Sequence, residues 1–300
     1  MVKACASHLE DGEILALDGT RIDCNSENIS LAAVGERKDG SYRPQINVSL
    51  MINVKDGSLI CYRAYAGNVS DISTQDDLRK LWTDIGIGAK SPLILMDRGY
   101  PTQEEFANLD RDGYKFLIGA KTSMKIVRDV IDQKNSDFYD QQAYLRQQRC
   151  YGVKSETVIT SDGHRMTVHS YVFRSPNKEM TETDQLLDRL DAFEKAWPRK
   201  KENALSQADK KNLEFFEVTD DGGLVLDKAR VSYECYGLGY FGLVGNVDIS
   251  LMDALTKYRQ RNEVEVAFKL MFQHLLTSTR VHSSAALDGL LMTTFVGLSI

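Results

Sequence analysis

The sequence predicts an α/β protein in which a mixed sheet is flanked by helices and interrupted by a β-rich insertion before a last long helix. Three observations carry that expectation. Strand and helix signals alternate over residues 1–120, hairpin signals dominate from about Tyr151, and helical spacing takes over from Ser250. The 300-residue chain is 42% hydrophobic and 9% aromatic with only 5 Pro, which suits a sizeable core and excludes disorder or a collagen-like chain.

Taken in order, Glu13-Ile14-Leu15-Ala16-Leu17 reads as a strand ending in Asp18-Gly19-Thr20. Gln45 to Val54 alternates as a half-buried strand, and Asp56-Gly57 supplies the hairpin turn into a strand over Ser58 to Ala64. Ser73 to Asp84 carries Leu78 and Leu81 at helical spacing, with Ser73 or Thr74 as N-cap. Ser91 to Met96 is a short apolar run of the kind found in central strands, and it ends at Asp97. Thr102, followed by Glu104 and Glu105, opens a helix that Gly113 closes before the strand Tyr114 to Ile118.

The second half differs in character. Glu156 to Thr160 and Arg165 to Phe173 flank Asp162-Gly163 as one hairpin; Glu214 to Val218 and the run from Leu224 flank a turn as another. Between them Leu186, Leu187, Leu190, Phe193 and Trp197 line one face of an amphipathic helix. Ser250 and Asp253 form a capping pair for a helix running through Leu276. Ala285 to Ile300 reads as a buried helix; interrupted by Asp288, it falls short of the roughly 20 apolar residues a membrane span needs. The expected domains are residues 1–150 as the first part of a core, 151–249 as a β-rich insertion with one amphipathic helix, and 250–300 as the helical remainder of the core.

Charge and cysteine usage narrow the class. The 37 Lys plus Arg against 43 Asp plus Glu give a net charge of -6, which by itself argues against a nucleic-acid partner. The 5 cysteines are scattered without Cys-x-x-Cys spacing, so neither a disulfide framework nor a zinc site is expected, and a reducing cytoplasm fits. Residues 1–10 hold no apolar core of signal-peptide length. A strand signal almost at the start, and an apolar run without a stop signal at the end, lead us to expect flanking segments.

Three acids stand where chemistry is expected. Asp18 and Asp97 sit at strand ends, the edge at which open α/β folds gather reactive groups, although Asp-Gly is also ordinary turn chemistry. Tyr258, Arg261 and Glu265 are spaced by three and four, hence on one helix face. The alternative there is a solvated Arg261–Glu265 pair worth about 0.3 kcal/mol. The basic run Lys195-Ala196-Trp197-Pro198-Arg199-Lys200-Lys201, continued by Lys210-Lys211, suits either a DNA backbone or a solvated helix end with Trp197 in a local core.

The combination has a family pattern. Leu17-Asp18-Gly19-Thr20, Gly67-Asn68-Val69-Ser70-Asp71, Leu95-Met96-Asp97-Arg98-Gly99-Tyr100, Tyr114-Lys115-Phe116-Leu117-Ile118-Gly119 and Tyr258-Arg259-Gln260-Arg261-Asn262-Glu263-Val264-Glu265-Val266-Ala267-Phe268 occur in that order. In these pieces the chain resembles the DDE transposases of bacterial insertion sequences, in the group named for a Tyr-Arg-Glu-Lys signature, whose catalytic core is ribonuclease-H-like. The resemblance implies Asp18, Asp97 and Glu265 as catalytic residues and ligands of two Mg²⁺ ions, with Mn²⁺ as substitute; such ions lie about 4 Å apart and prefer hard carboxylate oxygens. It also implies that Tyr258 and Arg261 act near DNA phosphates. Arg98, directly after the second aspartate, suits either a phosphate contact or a pair with a helix or surface acid. The signature lysine would fall seven residues after Glu265, where this chain has Phe272; Lys269, about 40° round the helix from Glu265, is its candidate replacement. The implied partners are transposon-end and target DNA and a second copy in a synaptic homodimer, in a bacterial cytoplasm, at the nucleoid when DNA is bound. A remnant that only binds DNA or a partner, and a nuclease without strand transfer, are the alternatives.

Overall fold

A computed structural model describes residues 9–36, 41–70, 72–99, 102–200, 205–266, 269 and 281–298; Asp71, Tyr100, Lys201, Ala267, Phe268, Phe272, Leu276 and Ile300, named above, lie outside them. The strands β1 (Ile14–Asp23), β2 (Ala33–Glu36), β3 (Tyr42–Asn53) and β4 (Leu59–Ala66) pair antiparallel around β3. β1 runs through Asp18 instead of ending there, because β3 pairs with it from Leu15↔Asn53 to Asp23↔Gln45. After a 3₁₀ turn comes α1 (Gln75–Asp84), followed by β5 (Leu93–Met96), α2 (Gln103–Arg111) and β6 (Lys115–Ala120). β5 pairs parallel with β1, from Ile14↔Leu93 to Leu17↔Met96, and with β6 on its other side. Asp18 is thus the first residue of β1 past the parallel pairing, and Asp97 the first past β5. Neighbouring strands lie about 4.8 Å apart, so register alone brings the two aspartates side by side.

The remaining elements are α3 (Lys125–Gln133), β7 (Tyr144–Leu145), β8 (Cys150–Ser161), β9 (His164–Arg174), α4 (Pro176–Lys200), α5 (Gln207–Leu213), β10 (Phe216–Val218), β11 (Leu224–Leu226), α6 (Lys228–Tyr236), β12 (Tyr240–Gly245), α7 (Leu251–Arg259) and α8 (Ser284–Leu298). The chain divides into two compact units: residues 1–121, 154–171 and 243–300 form the first, and 122–153 and 172–242 the second. In the first, the sheet order β2-β3-β1-β5-β6 continues through the 243–245 part of β12, then β9 and β8. No helix of the described residues is long and apolar enough to cross a membrane.

β3 is buried on both faces from Gln45 to Asn53, not half-buried as its alternation suggested. Its polar side chains have backbone partners: Gln45 Nε2 donates to the Gly67 carbonyl at 2.9 Å and Asn47 Nδ2 to the Val69 carbonyl at 2.5 Å. These bonds tie the Gly67–Ser70 loop onto the sheet. A Cβ on Gly67 would lie 2.0 Å from the Gln45 carbonyl oxygen, which explains the glycine.

α2 starts as expected, with Thr102 Oγ1 accepting from the Glu105 N–H at 3.1 Å. Against it, Arg79 of α1 collects three carboxylates: Nε lies 3.2 Å from Glu105 Oε1, Nη1 lies 2.6 Å from Asp112 Oδ2, and Nη2 pairs with Asp76. Burial pushes the Glu105 carboxyl up to about 7; Arg79 pulls the other way, while Asp76 and Asp112 add to the rise. The folded state therefore keeps a proton that the unfolded chain releases at the ordinary carboxylate value. That stabilisation is complete at acid pH and is lost as pH rises through about 7. We expect thermal stability to fall between about pH 5 and pH 8 by on the order of 2 kcal/mol, and Glu105→Gln to flatten that profile in calorimetry.

In the second unit, Leu186, Leu190, Phe193 and Trp197 of α4 pack with Phe215 and Phe216, while Leu187, expected on that face, is 39% exposed. Trp197 Nε1 donates to the Gly222 carbonyl at 3.0 Å, so the tryptophan belongs to this core and offers no stacking platform beside Lys195 and Arg199. α3, α5 and α6 were not expected, and residues 151–249, read as carrying one amphipathic helix, carry three among the described residues. α3 is rich in β-branched residues and its N-cap, Met124, makes no side-chain cap; what forms the helix is burial of Val127, Val130 and Ile131. α8 is less buried than its composition suggests. Leu287, Leu291 and Thr294 form one buried stripe, whereas Met292 is exposed, because a helix packed on one side covers only a third to a half of its circumference.

Candidate active site

The site is built at the edge of the sheet where β1 outruns β5. Each aspartate is oriented by the amide that follows it: the Gly19 N–H donates to Asp18 Oδ1 at 2.8 Å, and the Arg98 N–H to Asp97 Oδ1 at 2.7 Å.

α7 supplies the opposite wall. Ser250 caps it as expected, its Oγ accepting from the Asp253 N–H at 3.0 Å and donating to Asp253 Oδ2 at 2.7 Å. The helix does not continue unbroken toward Leu276: it stops at Arg259, Gln260 and Arg261 form a turn, and helical residues resume at 262–266. The bonds Arg261 N–H to Tyr258 O, Glu263 N–H to Gln260 O and Val264 N–H to Arg261 O, each 3.0 Å, are of the i to i+3 type. Such a turn has three residues per revolution and eclipses positions i and i+3. Tyr258 and Arg261 therefore keep a common side despite the break, with the guanidinium 5.7 Å from the Tyr258 ring centroid.

Arg261 is the centre of the cluster. Its Nη1 lies 3.2 Å from Asp18 Oδ2, and its Nη2 lies 3.4 Å from Glu265 Oε1 and 3.9 Å from Asp97 Oδ1. The structure thus gathers Asp18, Asp97 and Glu265 around one guanidinium. That side chain is 11% exposed, against 40% for Asp97 and 50% for Glu265, so these two carboxylates open outward, whereas Asp18, at 19%, is nearly as covered as the arginine. Burial alone would lower the Arg261 pKa, but Tyr258, Asp97, Asp18 and Glu265 outweigh it and raise it, keeping the group cationic. Its Nε has no hydrogen-bond partner among the described residues.

Tyr258 Oη donates to Asp97 Oδ1 at 3.3 Å. Burial, and next the charge of Asp97, push its hydroxyl above the usual tyrosine range, so it remains a donor. Sequence reasoning gave no role to Gly119, and the structure supplies one. A Cβ there would lie 2.3 Å from Tyr258 Oη and 3.1 Å from the Arg98 nitrogen, so only glycine leaves room for the tyrosine to reach Asp97. The available signal was an isolated glycine in an apolar strand, which marks close approach of another group. Arg98 joins the cluster through its backbone N–H, and no ion pair of the described residues ties the Arg98 or Lys269 side chain to it. Both side chains are exposed.

Could these residues hold metal ions? The donor set is all hard oxygen, which suits Mg²⁺, and the Asp97 and Glu265 oxygens that share Nη2 lie within about 7 Å of each other. Among the described residues, no three His, Cys, Asp or Glu stand close enough to enclose an ion as arranged. The carboxylates fit the group in type, with Arg261 between them.

No curated protein matches the chain. Among solved structures it is similar to a piggyBac transposase in a synaptic complex with hairpin DNA, with a TM-score of 0.54 at 9% identity over 99% of this chain and 48% of that one. A more distant likeness is the Drosophila P element transposase strand transfer complex, at a TM-score of 0.23 and 13% identity, covering 100% of this chain and 68% of that one. The chain spans about half the length of the piggyBac protein, and at that identity the likeness concerns the fold, a ribonuclease-H-like mixed sheet flanked by helices. The sequence profile of the transposase DDE domain matches residues 10–298, almost the entire chain, which therefore belongs to the DDE transposase domain family.

Proposed function

We propose that this chain is the catalytic core of a DNA transposase of the insertion-sequence type, cutting at transposon ends and joining them to target DNA with Mg²⁺, or Mn²⁺ in its place. The observation that carries this reading is the gathering of Asp18, Asp97 and Glu265 around one cationic group at the sheet edge. Those three side chains would hold two ions, which when bound activate the attacking oxygen and stabilise the leaving oxygen of a phosphodiester. The chain's own groups set the frame. The Gly19 and Arg98 amides and the Tyr258 hydroxyl fix the carboxylate orientations. Exposed Arg98 and Lys269 are free to meet phosphate, Lys269 in place of the signature lysine that position 272 lacks.

In this reading the expected core of residues 1–150 and 250–300 and insertion of 151–249 shift their bounds: the core is the first unit, 1–121, 154–171 and 243–300, and the insertion is the second, 122–153 and 172–242. DNA is the partner, and two copies of the chain hold the two transposon ends. The reaction takes place at the nucleoid of a bacterial cytoplasm. The test is product analysis with the terminal repeats of its own element and Mg²⁺. Joined molecules support a transposase, nicks alone identify a nuclease, and absence of cleavage by folded protein in Mg²⁺ and Mn²⁺ identifies a DNA-binding remnant.

A further inference from the structure

We propose that Arg261 is a resident counter-ion of Asp18, Asp97 and Glu265, which competes with divalent cations for these carboxylates and is displaced from them when the ions enter. This rests on the metal-binding reading above and adds a residue that opposes it until loading.

The geometry carries the argument. One guanidinium contacts all three carboxylates through two nitrogens, at 3.2 to 3.9 Å, in the space a shared cation would need. A divalent cation on the same oxygens would stand against a buried positive charge at these separations, so both cannot keep their contacts at full strength. Arg261 keeps one buried polar atom, Nε, unpaired among the described residues and stands at a break in the helix. It packs on the Tyr258 ring, and its backbone belongs to the turn between Arg259 and residue 262. A side chain on such a break can swing out without unwinding a continuous helix. Once released, its planar fork suits a phosphate better than a carboxylate trio, which links ion loading to DNA contact. By reciprocity, phosphate that draws Arg261 away would strengthen ion binding to the same extent.

The test is titration of Mn²⁺ into the metal-free protein by calorimetry, comparing wild type with Arg261→Gln and Arg261→Lys. Removing the charge is expected to tighten Mn²⁺ binding about tenfold or more, whereas the lysine variant, which keeps a cation, stays nearer the wild type. Equal or weaker binding in Arg261→Gln, with wild type binding normally, overturns the counter-ion and leaves the metal site standing. Absence of binding to every protein overturns both. If Arg261→Gln does not fold, wild-type protein suffices: the Arg261 Nε–H resonance, identified by its loss in Arg261→Lys, should shift or broaden along the Mg²⁺ binding curve. A resonance unchanged at saturation overturns the proposal.

Discussion

Asp97→Asn is expected to lower DNA cleavage about a thousandfold or more while leaving the fold intact. Asp97 sits just past β5 with 40% of its side chain exposed, and its structural bonds are accepted at Oδ1 from the Arg98 N–H and Tyr258 Oη. Asparagine keeps that acceptor. What it loses is a negative charge in a cluster of three, so thermal stability should hold or rise slightly as mutual repulsion falls. Cleavage assayed beside thermal melting checks both halves of the expectation. Undiminished cleavage would remove Asp97 from the chemistry, and a collapsed melting curve would make it a structural residue.

Gly119→Ala should have the next largest effect, by a different route. The added methyl meets Tyr258 Oη at 2.3 Å and a backbone nitrogen at 3.1 Å. The backbone cannot yield cheaply inside a paired strand, so the tyrosine must withdraw from Asp97. We expect a loss of activity of about a hundredfold, in the range found when a positioning contact near the reacting groups is displaced by about 1 Å, together with a destabilisation of about 1–3 kcal/mol from overpacking. Gly119→Ala combined with Tyr258→Phe should recover much of the stability, because the clashing oxygen is gone, but not the activity. Thermal melting and cleavage rates of the single and double variants separate the two terms.

Much of this fold was legible because local signals and burial agree. The Asp56-Gly57 and Asp162-Gly163 turns, the Thr102 and Ser250 caps and the apolar β5 run all lie where their chemistry says, with Gly57 and Gly163 at φ of 74° and 75°. The failures have physical causes. β1 outruns its apolar stretch because pairing with β3 continues across polar residues, something alternation within one segment does not show. α3 forms from burial against intrinsic preference, and α8 is apolar all round yet packs by one stripe.

For the site, spacing alone left Asp18, Asp97, Tyr258, Arg261 and Glu265 open to ordinary turn and surface roles, and the family resemblance is what implied them as a set; the structure puts Arg261 3.2 to 3.9 Å from the three acids and Tyr258 Oη 3.3 Å from Asp97. The break at Gln260 and Arg261 was not visible, since nothing in Tyr258 to Glu265 is a helix breaker; the tight turn preserves the shared side that an unbroken helix was expected to give. Net charge pointed away from DNA. Under the function proposed above, three of those acids form the cluster on Arg261, and Arg98 and Lys269 are exposed cations near them in sequence.

The central claim is that Asp18, Asp97 and Glu265 hold the ions of a transposase. Anomalous diffraction from crystals of this chain soaked in MnCl₂ addresses it directly. The expected result is manganese density among the three carboxylates, with the Arg261 side chain moved off Asp18. Manganese bound elsewhere on the surface, or a cluster still closed on Arg261 at saturating Mn²⁺, would contradict it.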